Sequence, residues 1–372
     1  MTILFDLTAL YDHLTGIERY AMNIAKRIVI NHPENEYILL FKNEVHNSFQ
    51  DCYGQDNVKT HILPSCHKLV FYQWRLMHFL KQHKADKYVF LSFVSPWLFR
   101  SKGIINTIHD ISAWDCPGTR KWYMVGYGKL GIKNALSHSE SIVAVSEFTK
   151  SRLVKRLNAD PSRISVIYNG VADQFLNHVD IDENRQKQIK EKYNLPDDFY
   201  LCLSTLEPRK NMKLLIEAFF NLKKEGKIKS ELVLAGRKGW KLDDVLGYDS
   251  DFVNSSIHVT GFIDDEDLPF IYSLATAFVF PSLYEGFGIP IIEAMACNTI
   301  VVSSDSSSLP EVVGDAGILF KNNDVRELEK VICEIKDMSE ADRQTYIRKG
   351  QERIKRFSWD KEAEKYYRII KS

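Results

Sequence analysis

The length of 372 residues favours two domains over one, and a content of 45% hydrophobic and 26% charged residues is ordinary for a globular protein. The 49 basic residues balance the 49 acidic ones, so the chain lacks the basic surplus of nucleic-acid-binding proteins, and no nucleic-acid partner is expected. The six cysteines are scattered without CxxC or zinc spacing, which is typical of reduced thiols in a cytosolic protein.

Short apolar runs alternate with longer amphipathic stretches in the first half of the chain. The predicted strands are Ile3–Phe5, Tyr37–Phe41, Lys59–Ile62, Tyr88–Leu91, Gly103–Ile108 and Ser141–Val145. The predicted helices are Gly16–Asn31, Val70–Lys84, Trp122–His138 and Glu147–Leu157. This alternation is typical of βαβ units, in which helices cover both faces of a parallel sheet.

The same pattern begins again after residue 170. The predicted strands there are Phe199–Ser204, Glu231–Ala235, Ile257–Thr260, Ala277–Phe280 and Thr299–Ser303. The predicted helices are Met212–Glu225, Leu268–Ser273, Pro290–Ala296, Asp324–Asp337 and Ser339–Phe357. We therefore expect two consecutive α/β domains of similar size.

The domain boundary is predicted at YNGVAD, Tyr168–Asp173, because Asn-Gly is a turn signal. The expected domains are 1–172 and 173–356. The remaining segment, 357–372, is expected to form a helix that either lies on the surface or packs back on the N-terminal domain. The N-terminus lacks signal-peptide features and no apolar run is long enough to span a bilayer, so any membrane contact should be peripheral and cytosolic.

The stretch PSLYEGFGIPIIEAMA, Pro281–Ala296, has the pattern of an anion site. A strand is followed by a loop with two glycines, and Pro290 then suits the first turn of a helix. Free amides and the helix dipole attract anions there, and glycines let a ligand approach the backbone. Glu285 and Glu293 could accept hydrogen bonds from sugar or ribose hydroxyls. The pattern is equally compatible with Glu285 as a helix-cap acid and Glu293 as a solvated surface residue.

A second polar group, Ser204–Asn211, follows the predicted strand Phe199–Ser204. Because ligands bind at the carboxyl ends of strands in open α/β sheets, Arg209 and Lys210 are expected to face the same crevice as the glycine loop. Fixed cations there would stabilise a departing diphosphate in the transition state. The alternative is a solvated basic helix start, but basic residues are disfavoured at helix N-termini, which favours a functional role.

Two weaker signals lie in the N-terminal half. His109 follows the predicted strand Gly103–Ile108 and could donate to a sugar hydroxyl or move a proton, although a hydrogen-bonded loop histidine fits equally well. Gly16 lies where a loop gives way to a helix, so its backbone could approach a phosphate. The GxGxxG fingerprint is absent, which argues against a dehydrogenase.

Three charged stretches have ordinary interpretations. The acidic run Asp264–Asp267 is interpreted as the start of a helix and not as a metal site, because acids favour helix N-termini. Lys68–Lys84 and Trp122–Lys129 mix aromatic with basic residues and are interpreted as half-buried helices. The alternative for both is an amphipathic helix that rests on an anionic membrane surface.

The chain resembles the large retaining glycosyltransferase family 4, of the GT-B architecture, over nearly its whole length. The family's Glu-x7-Glu motif matches Glu285 and Glu293, in YEGFGIPIIEAMAC. TLEPRKN, LVLAGRKGW, VSEFTKSRL and SSLPEVVGDAG resemble further segments of the family. The resemblance implies two facing Rossmann-like domains with an interdomain cleft. The N-terminal domain would bind the acceptor and the C-terminal one the nucleotide sugar, with no metal or other cofactor.

The resemblance also implies roles for the matching residues. Glu285 and the amides of Phe287 and Gly288 would hold the donor sugar and phosphate. Glu293 would bind the ribose hydroxyls, and Lys210 the diphosphate.

Further matches lie elsewhere in the chain. Phe262 would lie beside the base, His109 near the transferred sugar, and Gly16 at the diphosphate. Many members carry an arginine where this chain has Thr205, and Arg209 could take over that phosphate contact. The expected donor-binding residues are Gly16, Thr205, Phe262, Gly286, Phe287, Gly288, Ile289 and Glu293, and the expected catalytic residues are His109, Arg209, Lys210 and Glu285.

These observations predict a cytosolic enzyme that transfers a hexose from a nucleoside-diphosphate sugar to a growing cell-surface glycan. By resemblance, the anomeric configuration is retained, GDP-mannose is the favoured donor, and the acceptor is lipid-linked, for example through polyprenyl diphosphate. The protein is expected to act in solution or peripherally at the inner face of the membrane. The alternatives are a GT-B epimerase or phosphorylase, and a non-catalytic protein that binds nucleotide sugars or glycans.

Overall fold

A computed structural model describes residues 1–11, 14–52, 54–176, 183–205, 207–236, 252 and 255–372. The chain forms two compact units: Met1–Asn169 with Trp359–Ser372, and Gly170–Ser358. The first boundary falls within YNGVAD, three residues before the predicted position. The Val171 amide donates to the Phe357 carbonyl at 3.0 Å, which ties both ends of the second unit together.

A parallel sheet of seven strands, in the order β3-β2-β1-β4-β5-β6-β7, forms the centre of the first unit. Its strands are β1 Thr2–Asp6, β2 Glu36–Lys42, β3 Val58–Leu63, β4 Lys87–Phe90, β5 Ile104–Ile108, β6 Ser141–Ala144 and β7 Ile164–Val166. The first six strands match predicted ones, which confirms the α/β assignment. Strand β7 is not among the predicted strands, because an edge strand of three residues gives too short an apolar run to recognise.

The α-helices of the first unit lie between and after these strands. They are Gly16–Asn31, Lys68–Val70, Met77–Gln82, Ser112–Asp115, Trp122–His138, Glu147–Leu157 and Trp359–Lys371. Shorter 3-10 turns are Asn47–Cys52, Pro117–Thr119 and Pro161–Arg163. The predicted continuous helix Val70–Lys84 is wrong in one respect: Phe71–Leu76 is π-helical. The wider turn buries Phe71, Tyr72 and Leu76 together, and side-chain periodicity could not reveal it.

The C-terminal helix, Trp359–Lys371, belongs to the first unit. It packs against the helix Gly16–Asn31, where Arg27 donates to Asp360 at 2.7 Å. The His32 ring stacks on the Tyr367 ring with 3.5 Å between centroids. The helix is therefore anchored on this unit by both polar and aromatic contacts.

The second unit contains a parallel sheet of six strands, in the order β10-β9-β8-β11-β12-β13. Its strands are β8 Phe199–Leu203, β9 Glu231–Ala235, β10 Ile257–Gly261, β11 Ala277–Phe280, β12 Val301–Ser304 and β13 Ile318–Phe320. Five match predicted strands, and the short edge strand β13 was missed. The prediction Thr299–Ser303 began too early, because Asn298 adopts a left-handed turn with φ 58° and the Thr299 amide still bonds to the preceding helix.

The helices of the second unit lie before, between and after these strands. They are Asp173–Leu176, Glu183–Tyr193, Met212–Lys224, Leu268–Leu274, Ile289–Ala296, Leu309–Val313, Val325–Lys336 and Glu340–Ile354, with a 3-10 turn at Pro208–Lys210. Part of the segment LVLAGRKGW, from Arg237 onward, lies outside the described residues. Among the described residues, no helix combines the length and the apolar content needed to cross a membrane.

Candidate active site

The glycine loop predicted as an anion site connects β11 to the helix Ile289–Ala296. Gly288 is the residue before this helix and has φ 111°, a conformation that L side chains rarely adopt. A Cβ atom at this position would also lie 3.0 Å from Cδ2 of Leu309. Pro290 occupies the first turn, as predicted. The loop thus leads directly into a helix N-terminus with a backbone conformation that requires glycine.

Serine side chains from the end of β12 and the segment after it fix this loop. Ser304 donates its hydroxyl to the Ser282 carbonyl at 2.6 Å, and the Glu285 amide donates to the Ser307 hydroxyl at 2.8 Å. The Ser308 hydroxyl lies 3.0 Å from the carbonyls of both Glu285 and Phe287. These serines are not among the predicted site residues. Their only signal in the sequence is the dense run SSDSSS, which begins at the last residue of a predicted strand.

The Glu285 side chain binds two cations. Its carboxylate accepts from Arg209 Nη1 at 2.8 Å and from Lys210 Nζ at 2.6 Å. Side-chain exposure is 10% for Glu285, 14% for Arg209 and 12% for Lys210. The structure therefore brings together three residues that lie 75 and 76 positions apart, and it contradicts both a solvated basic helix start and a simple helix-cap acid.

Arg209 is held by further contacts on the same side of the sheet. Its Nη1 donates to the Tyr284 carbonyl at 2.6 Å, and its Nη2 donates to Glu207 at 2.8 Å. Its own carbonyl accepts from the Leu283 amide at 2.9 Å. These bonds connect the turn after β8 to the loop after β11, two strands that are neighbours in the sheet.

The electrostatics of this cluster favour an ionised glutamate. Burial alone would raise the pKa of Glu285, but the charges and hydrogen bonds of Arg209 and Lys210 lower it to about 2. Burial lowers the pKa of the Lys210 ammonium, and the adjacent Glu285 carboxylate opposes that shift. Lys210 Nζ also lies 5.1 Å from the centroid of the Phe280 ring. The carboxylate is thus a weak base with its charge already compensated.

Glu293, the second acid of the motif, lies on the helix after the loop. It is 5% exposed, and Tyr272 donates its hydroxyl to the carboxylate at 3.1 Å. The alternative of a solvated surface residue is therefore wrong. Buried carboxylates need hydrogen-bond donors, and ligand hydroxyls could supply them.

The other predicted donor-binding residues of the second unit lie after the carboxyl ends of its strands, in the glycine loop, or at the start of the helix after that loop. Thr205 is exposed after β8, and Phe262, 44% exposed, follows Gly261 at the end of β10. Phe287 is buried, with its ring against Phe357 at 5.5 Å between centroids. Gly286 precedes Phe287 in the loop, and Ile289 is the first residue of the helix.

The acidic run Asp264–Asp267 precedes the helix Leu268–Leu274, as interpreted from the sequence. Asp267 is fully buried and accepts from Arg185 and Lys192, both at 2.6 Å. Helix-start preference therefore explains only part of the run. Asp267 also anchors the helix Glu183–Tyr193, a tertiary contact that the sequence pattern did not reveal.

Two predicted site residues lie in the first unit. Gly16 is the first residue of the helix Gly16–Asn31. His109 follows β5, and its Nε2 lies 2.7 Å from the Leu91 carbonyl. Because a carbonyl only accepts, Nε2 must carry the proton. Burial lowers the pKa of His109, so the ring is neutral near pH 7 and Nδ1 can accept a hydrogen bond.

Sequence comparison places this geometry in a family. The model described as Glycosyltransferase Family 4 matches residues 14–175, and the model described as Glycosyl transferases group 1 matches residues 182–353. The chain is 32% identical to O-antigen chain mannosyltransferase B of Escherichia coli over 97% of both chains. The chain belongs to glycosyltransferase family 4. It is therefore a glycosyltransferase, an enzyme that moves a glycosyl group from a donor to an acceptor.

Two further likenesses support this assignment. The serotype-specific mannosyltransferase WbdA of Escherichia coli is 34% identical over 58% of this chain and 26% of its own length. The crystal structure of WaaG, a glycosyltransferase involved in lipopolysaccharide biosynthesis, matches 99% of both chains with a TM-score of 0.75 at 15% identity. The second likeness concerns the fold and confirms the predicted two-domain GT-B architecture.

Proposed function

We propose that this glycosyltransferase transfers mannose from GDP-mannose to a growing cell-surface glycan, with retention at the anomeric carbon. The observation that carries the proposal is the 32% identity, over 97% of both chains, to an enzyme named for O-antigen mannosyl transfer. The acceptor would be lipid-linked, for example through polyprenyl diphosphate, and presented at the inner face of the membrane.

In this proposal the cations of the second unit bind the donor diphosphate. Arg209 and Lys210 lie at the carboxyl end of β8, and the amides of Gly286–Gly288 lie at the helix start after β11. Both groups stabilise the charge that develops on the departing phosphate. Since these fixed cations and dipoles can stabilise that charge, we propose that transfer needs no metal ion.

A front-face mechanism is proposed, with Glu285 as a ligand of the donor sugar. In the structure its carboxylate is bonded to two cations and has a pKa of about 2, so in this arrangement it is a poor nucleophile and a poor base. In the proposed step the acceptor oxygen bonds to the anomeric carbon as the bond from that carbon to the phosphate oxygen breaks. The acceptor proton passes to the departing phosphate oxygen. Glu285 would accept hydrogen bonds from donor sugar hydroxyls.

The remaining predicted residues complete the donor site. Glu293 would bind the ribose hydroxyls, and Phe262 and Thr205 would line the nucleotide. His109 and Gly16, from the first unit, would contact the transferred sugar and the diphosphate. His109 would accept a hydroxyl hydrogen bond through Nδ1, since its Nε2 proton already bonds to Leu91.

A nucleotide screen and an acceptor assay test the proposal together. GDP should raise the melting temperature more than UDP, dTDP or ADP at equal concentration, because bound ligand stabilises the folded state. GDP-mannose should then be consumed only with a lipid-linked glycan acceptor, and NMR of the product should show the donor's anomeric configuration. Stabilisation by UDP alone would refute GDP-mannose as the donor. Turnover without acceptor would indicate an epimerase, and mannose phosphate formed from free phosphate would indicate a phosphorylase.

A further inference from the structure

Large apolar side chains are unusually exposed on one part of the first unit. Of the fourteen exposed large hydrophobic residues in the described part of the chain, eight lie between residues 69 and 130. Trp74 is 71% exposed and Trp122 is 85% exposed. We call these eight residues the apolar patch: Leu69, Val70, Trp74, Leu98, Trp122, Tyr123, Met124 and Leu130.

The segments that carry the apolar patch are neighbours in space. Gln73 donates to the Tyr127 hydroxyl at 3.0 Å and accepts from the Trp97 amide at 2.8 Å. The Trp97 and Tyr127 rings lie 5.0 Å apart between centroids. These contacts join the helical stretch Lys68–Gln82, the loop around Trp97 and the helix Trp122–His138 into one structure.

The helix Trp122–His138 is poorly covered by its own unit. Only Gly131 and Ala135 are buried among its 17 residues. A helix with Trp, Tyr, Met, Val, Leu and Ile along its length normally buries a broad apolar stripe. Much of its apolar surface therefore lacks a protein partner within the first unit, although scattered exposed apolar residues are normal on any surface.

The two longer segments that carry the apolar patch contain basic residues and no acidic ones. Residues 68–84 contain four basic residues and no acidic ones, and residues 116–139 contain the same numbers. The whole chain has a formal net charge of +0, so this positive charge is a local concentration. Arg120 is paired with Asp110 at 3.1 Å, and the other basic residues are Lys68, Arg75, Lys81, Lys84, Lys121, Lys129 and Lys133.

We propose that the apolar patch and its basic residues dock the first unit onto a membrane surface rich in anionic phospholipids. Exposed tryptophans prefer the boundary between headgroups and acyl chains, and each nearby Lys or Arg adds attraction to an anionic surface. A second copy of the chain would set one basic surface against another, and the repulsion disfavours that occupant. The lipid surface therefore fits both the apolar area and the charge.

The inference rests on the proposed function in one respect: a lipid-linked acceptor gives the docking its purpose. The docking itself does not depend on which sugar is transferred. Vesicle binding without donor or acceptor therefore tests the surface alone. Docking can fail while transfer to a soluble acceptor analogue succeeds. Docking can also succeed while transfer of the proposed sugar fails.

The test is co-sedimentation of the full chain with vesicles. The wild type should sediment with phosphatidylcholine vesicles that contain phosphatidylglycerol, and it should remain in solution with phosphatidylcholine alone. Trp74→Ser with Trp122→Ser should lower the partition coefficient at least about tenfold. Lys68→Glu with Lys121→Glu should do the same, and the loss should be smaller in high salt.

Matched controls separate the apolar patch from general effects. Leu176→Ser removes an apolar side chain, 51% exposed, from the second unit, and Lys330→Glu reverses a charge that is 75% exposed there. Both should sediment like the wild type. Unchanged sedimentation of the double variants, or a wild type that stays in solution, would overturn the proposal. A wild-type dimer that the tryptophan variant dissociates would instead assign the patch to self-association and would also overturn it.

Discussion

Replacing the carboxylate of Glu285 by an amide should strengthen the binding of free nucleoside diphosphate while it abolishes transfer. In the structure Glu285 neutralises Arg209 and Lys210, at 2.8 Å and 2.6 Å. A diphosphate that uses the same two cations must compete with this internal anion. The variant Glu285→Gln keeps the size of the side chain and removes the competitor.

The pKa of Glu285 gives the scale of this competition. A fall from 4.5 to about 2 corresponds to about 3 kcal/mol in favour of the ionised carboxylate, at about 1.4 kcal/mol per pH unit. If the diphosphate recovers about half of this free energy, its affinity rises about tenfold. Transfer should nevertheless fall by at least about a hundredfold, because the proposed sugar contact and its charge are lost.

Isothermal titration with GDP and a radiolabelled transfer assay measure the two effects. Glu293→Gln is the matched control: it also removes a buried carboxylate, but one bonded to Tyr272 and not to the two cations. That variant should weaken GDP and guanosine equally. If Glu285→Gln binds GDP more weakly than the wild type, Glu285 does not compete with the diphosphate and the reasoning fails.

Four further outcomes follow from the same contacts. Lys210→Ala should weaken GDP at least about tenfold and guanosine very little in titration calorimetry, since charged hydrogen bonds contribute about 1.5–3 kcal/mol; equal loss for both ligands contradicts the diphosphate role. A lowered pKa means that the ionised form of Glu285 stabilises the fold above pH 4.5, and this contribution is lost as pH falls toward about 2. The wild type should therefore lose more unfolding free energy than Glu285→Gln over that pH range in urea denaturation. An equal loss in the two proteins would contradict this contribution of Glu285. Asp267→Ala should cost about 2–4 kcal/mol of unfolding free energy, because Arg185 and Lys192 lose a fully buried partner; a change below about 0.5 kcal/mol would show that the pairs contribute little. Transfer should continue in excess EDTA after prior dialysis, and loss of activity that Mg²⁺ or Mn²⁺ restores would refute a metal-independent mechanism.

Much of the fold could be predicted from the sequence because central strands and amphipathic helices carry strong periodic signals. The helices Gly16–Asn31 and Trp122–His138 were predicted with the observed bounds. The edge strands Ile164–Val166 and Ile318–Phe320 were missed, since three residues pair by tertiary position more than by composition. The π-helical turn at Phe71–Leu76 was also missed, because hydrogen-bond spacing leaves little trace in the sequence.

The site was only partly predictable for a different reason. The pattern placed Arg209, Lys210 and Glu285 at strand ends, and topology then indicated one edge of a sheet. It could not indicate that the three side chains bond to one another, since that depends on the hydroxyls of Ser307 and Ser308 that hold the loop. That His109 faces this cluster stays a prediction.

If the proposed donor site is correct, the pairing of Glu285 with two cations would also favour release of the product. In the proposed donor complex, the diphosphate would take over Arg209 and Lys210, and the sugar hydroxyls would replace the bonds that Glu285 gives up. A nucleoside diphosphate without its sugar offers no such hydroxyls, so Glu285 would be left as a buried carboxylate without donors, which is costly. We therefore expect the cations to return to Glu285 after transfer, which would weaken the hold on the product relative to the donor.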